Sequence, residues 1–263
     1  MNIIIPAAAV GVLGLLFGLL LGYAAKKFEV KADERVDQVR ELLPGANCGG
    51  CGNPSCDAYA ARLVEGVSGI NECAVVSNEN RAKIAAILGL ETTAMERTVA
   101  TVLCQGCGKN SPARYEYKGV QSCRSALLVV DGPKGCPQGC IGLGDCAAVC
   151  AFDAIKIIDG LPVIDENKCH ACGTCVAACP RQVIRCLPYK RVARPLCRTQ
   201  LPAKDARATC KTACIHCGMC ARNCPQKAIK LENGQVIVDE ALCTGCGVCV
   251  EKCPTKAIKL ARD

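Results

Sequence analysis

The longest run of hydrophobic positions lies at the N-terminus of the chain. From Ile3 to Ala25 there are 23 residues without a charge, and a helix of this length covers about 34 Å, more than a hydrocarbon core of about 30 Å. No Lys or Arg precedes the run, and the run is longer than the apolar region of most cleaved signal peptides. The pattern predicts a single transmembrane anchor over residues 1–27, with a signal peptide as the alternative.

The residues next to this run predict its orientation. Lys26 and Lys27 follow it at once, so the positive-inside rule places the bulk of the chain on the cytoplasmic side of a prokaryotic inner membrane. Gly14, Gly18 and Gly22 recur every four residues, a spacing that lets a second membrane helix approach closely. Glycine is also common in transmembrane helices generally, so a partner helix and simple enrichment both stay open.

Near the C-terminus the hydrophobic pattern changes to short alternating stretches. Residues 228–231 and 236–238 flank Asn233 and Gly234, a dipeptide that strongly favours a tight hairpin turn between two strands. With one short helix in each half, this pattern predicts a βαββαβ-like module. The fold class expected for the chain is α+β, with small modules in series after the anchor.

Composition indicates that these modules need more than a hydrophobic core. Aromatic residues make up 3% of the chain and Trp is absent, so a module of about 60 residues cannot be stabilised by apolar burial alone. The chain has 26 cysteines, which three chemistries could use: disulfides, zinc sites and iron–sulfur clusters. A cytoplasmic location is reducing and therefore disfavours disulfides.

The first cysteine block lies in residues 28–95 and has the spacing C-x2-C-x4-C-x16-C. It consists of Cys48, Cys51, Cys56 and Cys73. The first two lie in the segment LPGANCGGCG at residues 43–52, where glycines let backbone amides approach inorganic sulfide. We predict one [4Fe-4S] cluster on these thiolates, and a zinc site with four thiolates is the alternative.

The C-terminal block, in residues 212–263, gives the sharpest signal. It contains two runs of C-x2-C-x2-C-x3-C-P, the spacing of two-cluster ferredoxins, in which the fourth cysteine of each run binds the other cluster. One predicted ligand set is Cys214, Cys217, Cys220 and Cys253. The other is Cys243, Cys246, Cys249 and Cys224.

A middle block, in residues 133–188, repeats the spacing of this module. Its first run is irregular, because Leu143 stands where the repeat requires a cysteine, and Cys136 is the expected substitute. One predicted ligand set is therefore Cys136, Cys140, Cys146 and Cys179. The other is Cys169, Cys172, Cys175 and Cys150.

Six cysteines stay outside these sets: Cys104, Cys107, Cys123, Cys186, Cys197 and Cys210. Cys104 and Cys107 form a C-x2-C pair in the insert at residues 96–132, and a sixth [4Fe-4S] cluster could use this pair. Its other two ligands would be a pair from Cys123, Cys197 and Cys210, reached by a long-range contact. Cys197 and Cys210 lie in a connection at residues 189–211. A structural zinc or free thiols are the alternatives, and Cys186 is expected to be a packed thiol.

Net charge and motifs argue against several function classes. The formal charge of +8 suggests an anionic partner, but a [4Fe-4S] cluster with four thiolates adds about −2, so five clusters bring the total to about −2. Nucleic-acid binding is therefore not expected. The chain has no G-x-G-x-x-G after a strand, no P-loop and no nucleophile constellation, so we expect neither NAD nor flavin binding and no catalytic residue.

Two further features could be functional or merely structural. His170 and His216 lie within the cluster loops, but full cysteine sets are available nearby, so we expect neighbouring or surface roles for both. A basic run could form a docking surface for an acidic electron donor, or it could be a solvated connection. This run consists of Lys190, Arg191, Arg194, Arg198, Lys204, Arg207 and Lys211.

These features together resemble a known family. The anchor, the segment at residues 43–52 and the module from Cys136 to Cys179 make the chain similar to the B subunit of the Rnf-type, ion-translocating ferredoxin:NAD oxidoreductase complex. The second ferredoxin module and the insert from Cys104 to Cys123 match the longer form of this protein.

The resemblance implies that reduced ferredoxin supplies electrons, and that membrane and flavin-bearing subunits receive them, reduce NAD and move Na⁺ or H⁺. The chain would be the electron-input subunit of this translocase, held at the lipid bilayer, with five or six [4Fe-4S] clusters and no active site of its own. Electrons are expected to arrive at the C-terminal module and to leave from the Cys48 site. The alternatives are a polyferredoxin subunit of a hydrogenase or heterodisulfide reductase and, from another class, a zinc-binding module.

Overall fold

The computed structural model describes residues 4–27 and 33–261 of the chain. Its first helix, α1 (Ile4–Lys27), carries two lysines in its last turn, and the side chains described on it, at residues 10–24, 26 and 27, are almost all exposed. Within the described residues, no helix is long and apolar enough to cross a membrane. The structure therefore gives the predicted transmembrane helix no support, and the anchor stays a prediction.

Three short helices form a domain after α1. They are α2 (Glu34–Leu42), α3 (Cys56–Val64) and α4 (Asn78–Leu88). Each begins after a residue whose side chain accepts a backbone N–H, namely Asp33, Ser55 and Ser77, and such caps satisfy part of the free amides at a helix N-terminus. Helix α2 packs against α3 and α4. Their shared core includes Val39, Tyr59, Ala60, Leu63 and Ile84.

A buried arginine fixes the loop between α3 and α4. The Arg81 side chain is 2% exposed, and its guanidinium donates to the carbonyls of Cys73 at 2.9 Å and of Val76 at 3.2 Å. Another bond goes to Asn78 Oδ1 at 2.7 Å. Because these acceptors belong to the segment that carries Cys73, Arg81 positions one of the predicted cluster ligands.

The middle of the chain forms a βαββαβ module with one inserted helix. Its elements are β1 (Thr98–Val102), the inserted α5 (Cys123–Leu127), α6 (Asp145–Ala148), β2 (Ile155–Ile158), β3 (Leu161–Ile164), α7 (Thr174–Ala178) and β4 (Ile184–Pro188). Strand β1 pairs antiparallel with β4, with Ala100 opposite Cys186. Strands β2 and β3 form a hairpin. We call this unit the first ferredoxin module.

The C-terminal part repeats this order and is called the second ferredoxin module. Its elements are β5 (Ala193–Pro195), α8 (Ala203–Thr209), α9 (Met219–Arg222), β6 (Ile229–Glu232), β7 (Gln235–Val238), α10 (Val248–Glu251) and β8 (Ile258–Leu260). Strand β5 pairs with β8, and β6 pairs with β7. The β6–β7 turn uses Asn233 and Gly234, both at positive φ, as the hairpin signal predicted. The mixed α and β content and the two βαββαβ units are therefore confirmed.

The first strand of each module lies outside the range predicted for that module. Strand β1 falls within the predicted insert at residues 96–132, and β5 falls within the predicted connection at residues 189–211. Strand β5 has three residues and includes Arg194 and Pro195, so it has no alternating apolar pattern to reveal it. Arg194 is 4% exposed, and its guanidinium donates to Thr101 Oγ1 at 2.6 Å and to the Pro188 carbonyl. Arg194 thus joins the two modules.

Replacing Arg81 with Met should destabilise the N-terminal domain. The substitution leaves the Cys73 and Val76 carbonyls buried without their donor, a loss of about 1–3 kcal/mol in the free energy of opening. Hydrogen–deuterium exchange of the amides in α3 and α4 of the full chain measures this loss.

Lys83→Met is the matched control on the same helix. Lys83 is exposed and pairs with Glu79 at 2.7 Å, and an exposed pair contributes at most about 0.5 kcal/mol. Equal exchange rates in the two variants would contradict a positioning role for Arg81.

Candidate iron–sulfur centres

The four cysteines of the first block wall one cavity in the N-terminal domain. They are Cys48, Cys51, Cys56 and Cys73. Cys56 begins α3, and its amide donates to Asn47 Oδ1 at 2.8 Å, which holds the loop that carries Cys48 and Cys51 against the helix. The structure therefore brings this predicted set together.

Burial and mutual repulsion act on these thiols. For both Cys48 and Cys73, burial is the main cause of a raised pKa, and the thiolates of neighbouring cysteines add to it, while backbone N–H donors act in the opposite direction. Thiols packed in this way ionise together only beside compensating positive charge. An iron–sulfur core supplies such charge.

The first ferredoxin module closes the same cavity on one side. Cys172 lines the cavity together with the four N-terminal cysteines, and Thr174 Oγ1 donates to the Cys48 carbonyl at 3.3 Å. At Gly50, a Cβ atom would lie 2.2 Å from the Cys172 carbonyl oxygen. Two predicted centres are therefore in backbone contact at a point where a residue larger than glycine does not fit.

Both predicted sets of the second ferredoxin module are assembled. Cys224, Cys243, Cys246 and Cys249 wall one cavity. In the other set, burial is the main cause of a raised pKa at Cys214 and Cys220. The neighbouring thiolates, Cys253 among them, add to this effect, so these cysteines lie close together. Burial raises the pKa of Cys249 to about 11, and the neighbouring thiolates add to this effect.

In each ferredoxin module, a backbone amide stabilises a cysteine that is the fourth of its run. Ala257 N–H donates to Cys253 Sγ at 3.3 Å, and Ala154 N–H donates to Cys150 Sγ at 3.4 Å. Burial raises the pKa of Cys253, but hydrogen bonds from Thr255 and Ala257 outweigh burial, so that this pKa is lowered. These donors favour the thiolate, which is the form that binds iron.

In the first ferredoxin module, Cys123 takes the place that the sequence analysis gave to Cys136. One cavity is walled by Cys123, Cys140, Cys146 and Cys179. All the cysteines lie in the described part of the chain, and Cys136 is not on this wall. The Cys123 amide donates to Asp145 Oδ1 at 2.8 Å, which ties the start of α5 to the start of α6. Burial raises the pKa of Cys140 to about 12 and that of Cys146 to about 11.

The other centre of this module has an additional thiol beside it. Burial raises the pKa of Cys175 to about 12, and the thiolates of Cys186, Cys172 and Cys169 add to this effect. Cys150 packs in the same core. Cys186, predicted as a packed thiol, lies on β4 and donates through Sγ to the Ala171 carbonyl at 3.6 Å.

A further cavity lies between the two ferredoxin modules. Its wall includes Cys104, Cys136, Cys197 and Cys210. Cys107, predicted as a partner of Cys104, is a described residue that is not on this wall. Burial raises the pKa of Cys197 to about 11 and also raises that of Cys104.

Two members of this last set carry a sequence signal that the predicted ligand sets did not use. Cys136 precedes Cys140 with three residues between them, and Cys210 precedes Cys214 in the same way. No comparable signal marks Cys123, because it belongs to an insert between β1 and α6 that is longer than its counterpart in the second module.

The histidines and the basic run have other contacts. His170 packs on the Phe152 ring with a centroid distance of 4.6 Å, and His216 Nε2 lies 3.0 Å from the Thr199 carbonyl oxygen. In the basic run, Arg194 is buried as described above, and Lys190 pairs with Glu96 at 2.8 Å. These contacts favour a structural role for this part of the run over a docking surface.

The donor chemistry of the cavities fits iron–sulfur clusters. Within residues 4–27 and 33–261, no group of three or more His, Cys, Asp or Glu side chains is placed to hold a single metal ion. Instead, four cysteines of one predicted or reassigned set line each of three cavities described above. Four cysteine thiolates are the ligand set of a [4Fe-4S] cluster.

Comparisons with known proteins agree with this donor set. A family model of an Fe-S cluster matches residues 43–75, a 4Fe-4S binding domain matches residues 162–185, and a 4Fe-4S dicluster domain matches residues 213–257. The chain therefore contains two segments that match 4Fe-4S domains and a third that matches an Fe-S cluster family.

Relatives extend over most of the chain. The B subunit of the Na⁺-translocating ferredoxin:NAD⁺ oxidoreductase complex of Acetobacterium woodii is 48% identical over 90% of this chain and 72% of the relative. The B subunit of the ion-translocating oxidoreductase complex of Methanosarcina acetivorans is 40% identical over 87% of each chain. The B subunit of the proton-translocating ferredoxin:NAD⁺ oxidoreductase complex of Clostridium ljungdahlii is 39% identical over 92% of this chain and 86% of the relative.

The chain belongs to the family of B subunits of ion-translocating oxidoreductase complexes. This B subunit is an iron–sulfur electron-transfer component of such a complex. The resemblance that residues 43–52 and the two ferredoxin modules indicated is confirmed.

Replacing Gly50 with Ala in the B subunit should separate the N-terminal domain from the first ferredoxin module. The added methyl group meets the Cys172 backbone, which cannot move without displacing its loop. We expect weaker magnetic coupling between the two neighbouring reduced clusters, measured by EPR of the full chain, with iron content unchanged.

Gly69→Ala is the control for this substitution. A Cβ atom there would meet only the Glu72 carboxylate, at 3.4 Å, which is the flexible end of a side chain. Coupling that is unchanged in Gly50→Ala would show that the two domains do not dock as described.

Proposed function

We propose that this B subunit accepts electrons from reduced ferredoxin at its second ferredoxin module and conducts them, one at a time, to the Cys48 site and on to partner subunits. The observation that carries the proposal is that neighbouring thiol sets lie together within each ferredoxin module and where the first module meets the N-terminal domain. The names of the relatives support ferredoxin as the donor and NAD as the final acceptor of the assembled complex.

Five [4Fe-4S] clusters are assigned to the sets that the structure supports. The first set is Cys48, Cys51, Cys56 and Cys73. The first ferredoxin module would use Cys123, Cys140, Cys146 and Cys179 for one cluster and Cys150, Cys169, Cys172 and Cys175 for the other. The second ferredoxin module would use Cys214, Cys217, Cys220 and Cys253, and then Cys224, Cys243, Cys246 and Cys249. Bound clusters supply one-electron redox chemistry with no acid, base or nucleophile, so no independent active site is proposed.

Contacts between neighbouring sets support electron transfer from one cluster to the next. Cys172 of the first ferredoxin module lines the Cys48 cavity. Within that module, burial is the main cause of the raised pKa of Cys175, and Cys146 of the other set adds to it. Within the second module, Cys220 adds in the same way to the raised pKa of Cys249. Proximity of neighbouring sets is what electron transfer between clusters requires.

Exposure supports the second ferredoxin module as the place where electrons arrive. Cys217 and Cys246 are exposed, whereas the other cysteines of the described chain are partly or fully buried. Each exposed cysteine belongs to a different set of this module. A donor that docks there reaches a ligand directly, while the Cys48 set is in contact with the first ferredoxin module.

We also propose that α1 anchors the protein to the inner membrane, with the remaining domains on the cytoplasmic side. The uncharged run from Ile3 to Ala25 supports this, as do the exposed apolar side chains from Val10 to Tyr23, because an exposed patch of this extent marks an interaction surface. Lys26 and Lys27 at its end support the orientation.

Removal of residues 1–27 should release the protein from its membrane. With α1 present, the protein should stay in the pellet after alkaline carbonate extraction of membranes that lack the other subunits. Release of the full chain by carbonate would contradict the anchor.

Replacing Cys217 with Ala should interrupt the route at its start. Reduction of the cluster in the Cys48 set by reduced ferredoxin, followed by stopped-flow absorbance and freeze-quench EPR, should slow by an order of magnitude or more. Cys107→Ala is the control, since Cys107 belongs to none of the five sets.

Dithionite separates a broken route from a damaged protein. It should still reduce the Cys48 cluster in Cys217→Ala, because a small reductant does not need the docking site. Unchanged ferredoxin-driven reduction in this variant would contradict the proposed direction of transfer.

A further inference from the structure

The five sets use 20 of the 26 cysteines, and four of the six that remain lie between the two ferredoxin modules. They are Cys104, Cys136, Cys197 and Cys210, and they line one cavity together with Cys140 of a neighbouring set. Two come from the first module and its insert, and two come from the second module. Without them, no thiol set joins the first module to the second.

Cys136 and Cys210 occupy equivalent positions in the two modules. Each is followed, after three residues, by the first cysteine of a ferredoxin run, Cys140 or Cys214. Each also makes the same turn, because the carbonyls of Cys136 and Cys210 accept the amides of Gly139 and Ala213, both at 3.1 Å. The same local backbone therefore presents both thiols.

Cys104 and Cys197 are equivalent as well. Ala100 N–H donates to Cys169 Sγ, and Ala193 N–H donates to Cys243 Sγ, both at 3.4 Å. These two alanines lie at the same place in the first strands of the two modules, β1 and β5. Cys104 and Cys197 follow them at the same distance, four positions later.

The sulfur atoms of this equivalent pair receive matching hydrogen bonds. Cys140 N–H donates to Cys104 Sγ at 3.4 Å, and Cys214 N–H donates to Cys197 Sγ at 3.3 Å. Because Cys140 and Cys214 belong to sets in different modules, the four remaining cysteines contact a set on each side through a backbone amide. N–H donors to sulfur are typical of iron–sulfur ligands.

A positive charge lies beside this cavity. The Lys134 ammonium is on the wall and donates to the carbonyls of Gly106 and Gly160, both at 2.7 Å. It is therefore fixed near Cys104, where it offsets part of the negative charge that four thiolates would bring.

We propose that Cys104, Cys136, Cys197 and Cys210 bind a sixth [4Fe-4S] cluster, two ligands from each ferredoxin module, and that this cluster bridges the modules. The site differs from a pair built on Cys104 and Cys107. Cys107 is not on the cavity wall, and its carbonyl accepts the amides of Asn110 at 3.0 Å and Ser111 at 2.8 Å within a turn. The ligand assignment stands by itself, whereas the bridging role rests on the proposed function.

The test is anaerobic iron, sulfide and zinc quantification on the full-length protein and its variants. With four iron atoms in each cluster, the unmodified protein should hold about 24 iron atoms. Cys197→Ser and Cys136→Ser remove one ligand from each module, and each should lower the count to about 20. Cys107→Ser, the control, should keep about 24.

Several outcomes would overturn the assignment. These are about 20 iron atoms in the unmodified protein, one zinc in place of four iron atoms, full iron in both ligand variants, or loss of four iron atoms in Cys107→Ser. EPR of the reduced Cys48 cluster shows whether a variant is folded. Should both ligand variants fail to fold, the iron and zinc contents of the unmodified protein decide.

Electron transfer tests the bridging role separately. In Cys197→Ser, ferredoxin should reduce the clusters of the second ferredoxin module as in the unmodified protein, while those of the first module stay oxidised. Rapid reduction of both modules in this variant overturns the bridge. If the unmodified protein holds about 24 iron atoms that ferredoxin fails to reduce, the proposed donor is wrong while the site stands.

Discussion

The close packing of buried cysteine thiols is the constraint on which the rest of this structure depends. Cores of the ferredoxin modules are small, and cysteines such as Cys146, Cys175 and Cys249 form part of them. Burial and mutual repulsion oppose the ionised form of these side chains. A bound metal core reverses this opposition, so that metal binding and folding favour each other. The modules can therefore be stable with few aromatic residues and no Trp.

Backbone amides are the second device that the fold uses repeatedly. The N–H groups of residues such as Ala100, Ala193 and Ala257 point at cysteine sulfur atoms. Two of these donors lie on β1 and β5, the short strands that the chain places first in each module. The two strands thus donate hydrogen bonds to cysteine ligands as well as forming sheets. Arg194, also on β5, links the two modules through Thr101 on β1.

The sequence predicted much of this arrangement because ferredoxin runs are local. Three ligands of each cluster lie within one C-x2-C-x2-C run, and the fourth comes from the other run of the same module, so spacing alone relates all four. The second module has the predicted sets. The spacing of cysteines along the chain did not identify a ligand that comes from a long insert. Cys123 takes its place only because Asp145 holds the start of α5 beside α6, a contact between residues that no repeat relates. Strand β5 was missed because three residues are too few to show alternation.

The exposure of Cys217 and Cys246 has a consequence for survival in air. Accessible sulfur ligands are the first that oxygen and peroxide reach, so oxidative damage would begin in the second ferredoxin module. If electrons enter at this module, as proposed, oxidation of these two ligands would cut the more buried sets off from the donor while those sets still held their iron. Loss of electron transfer would then precede unfolding of the chain.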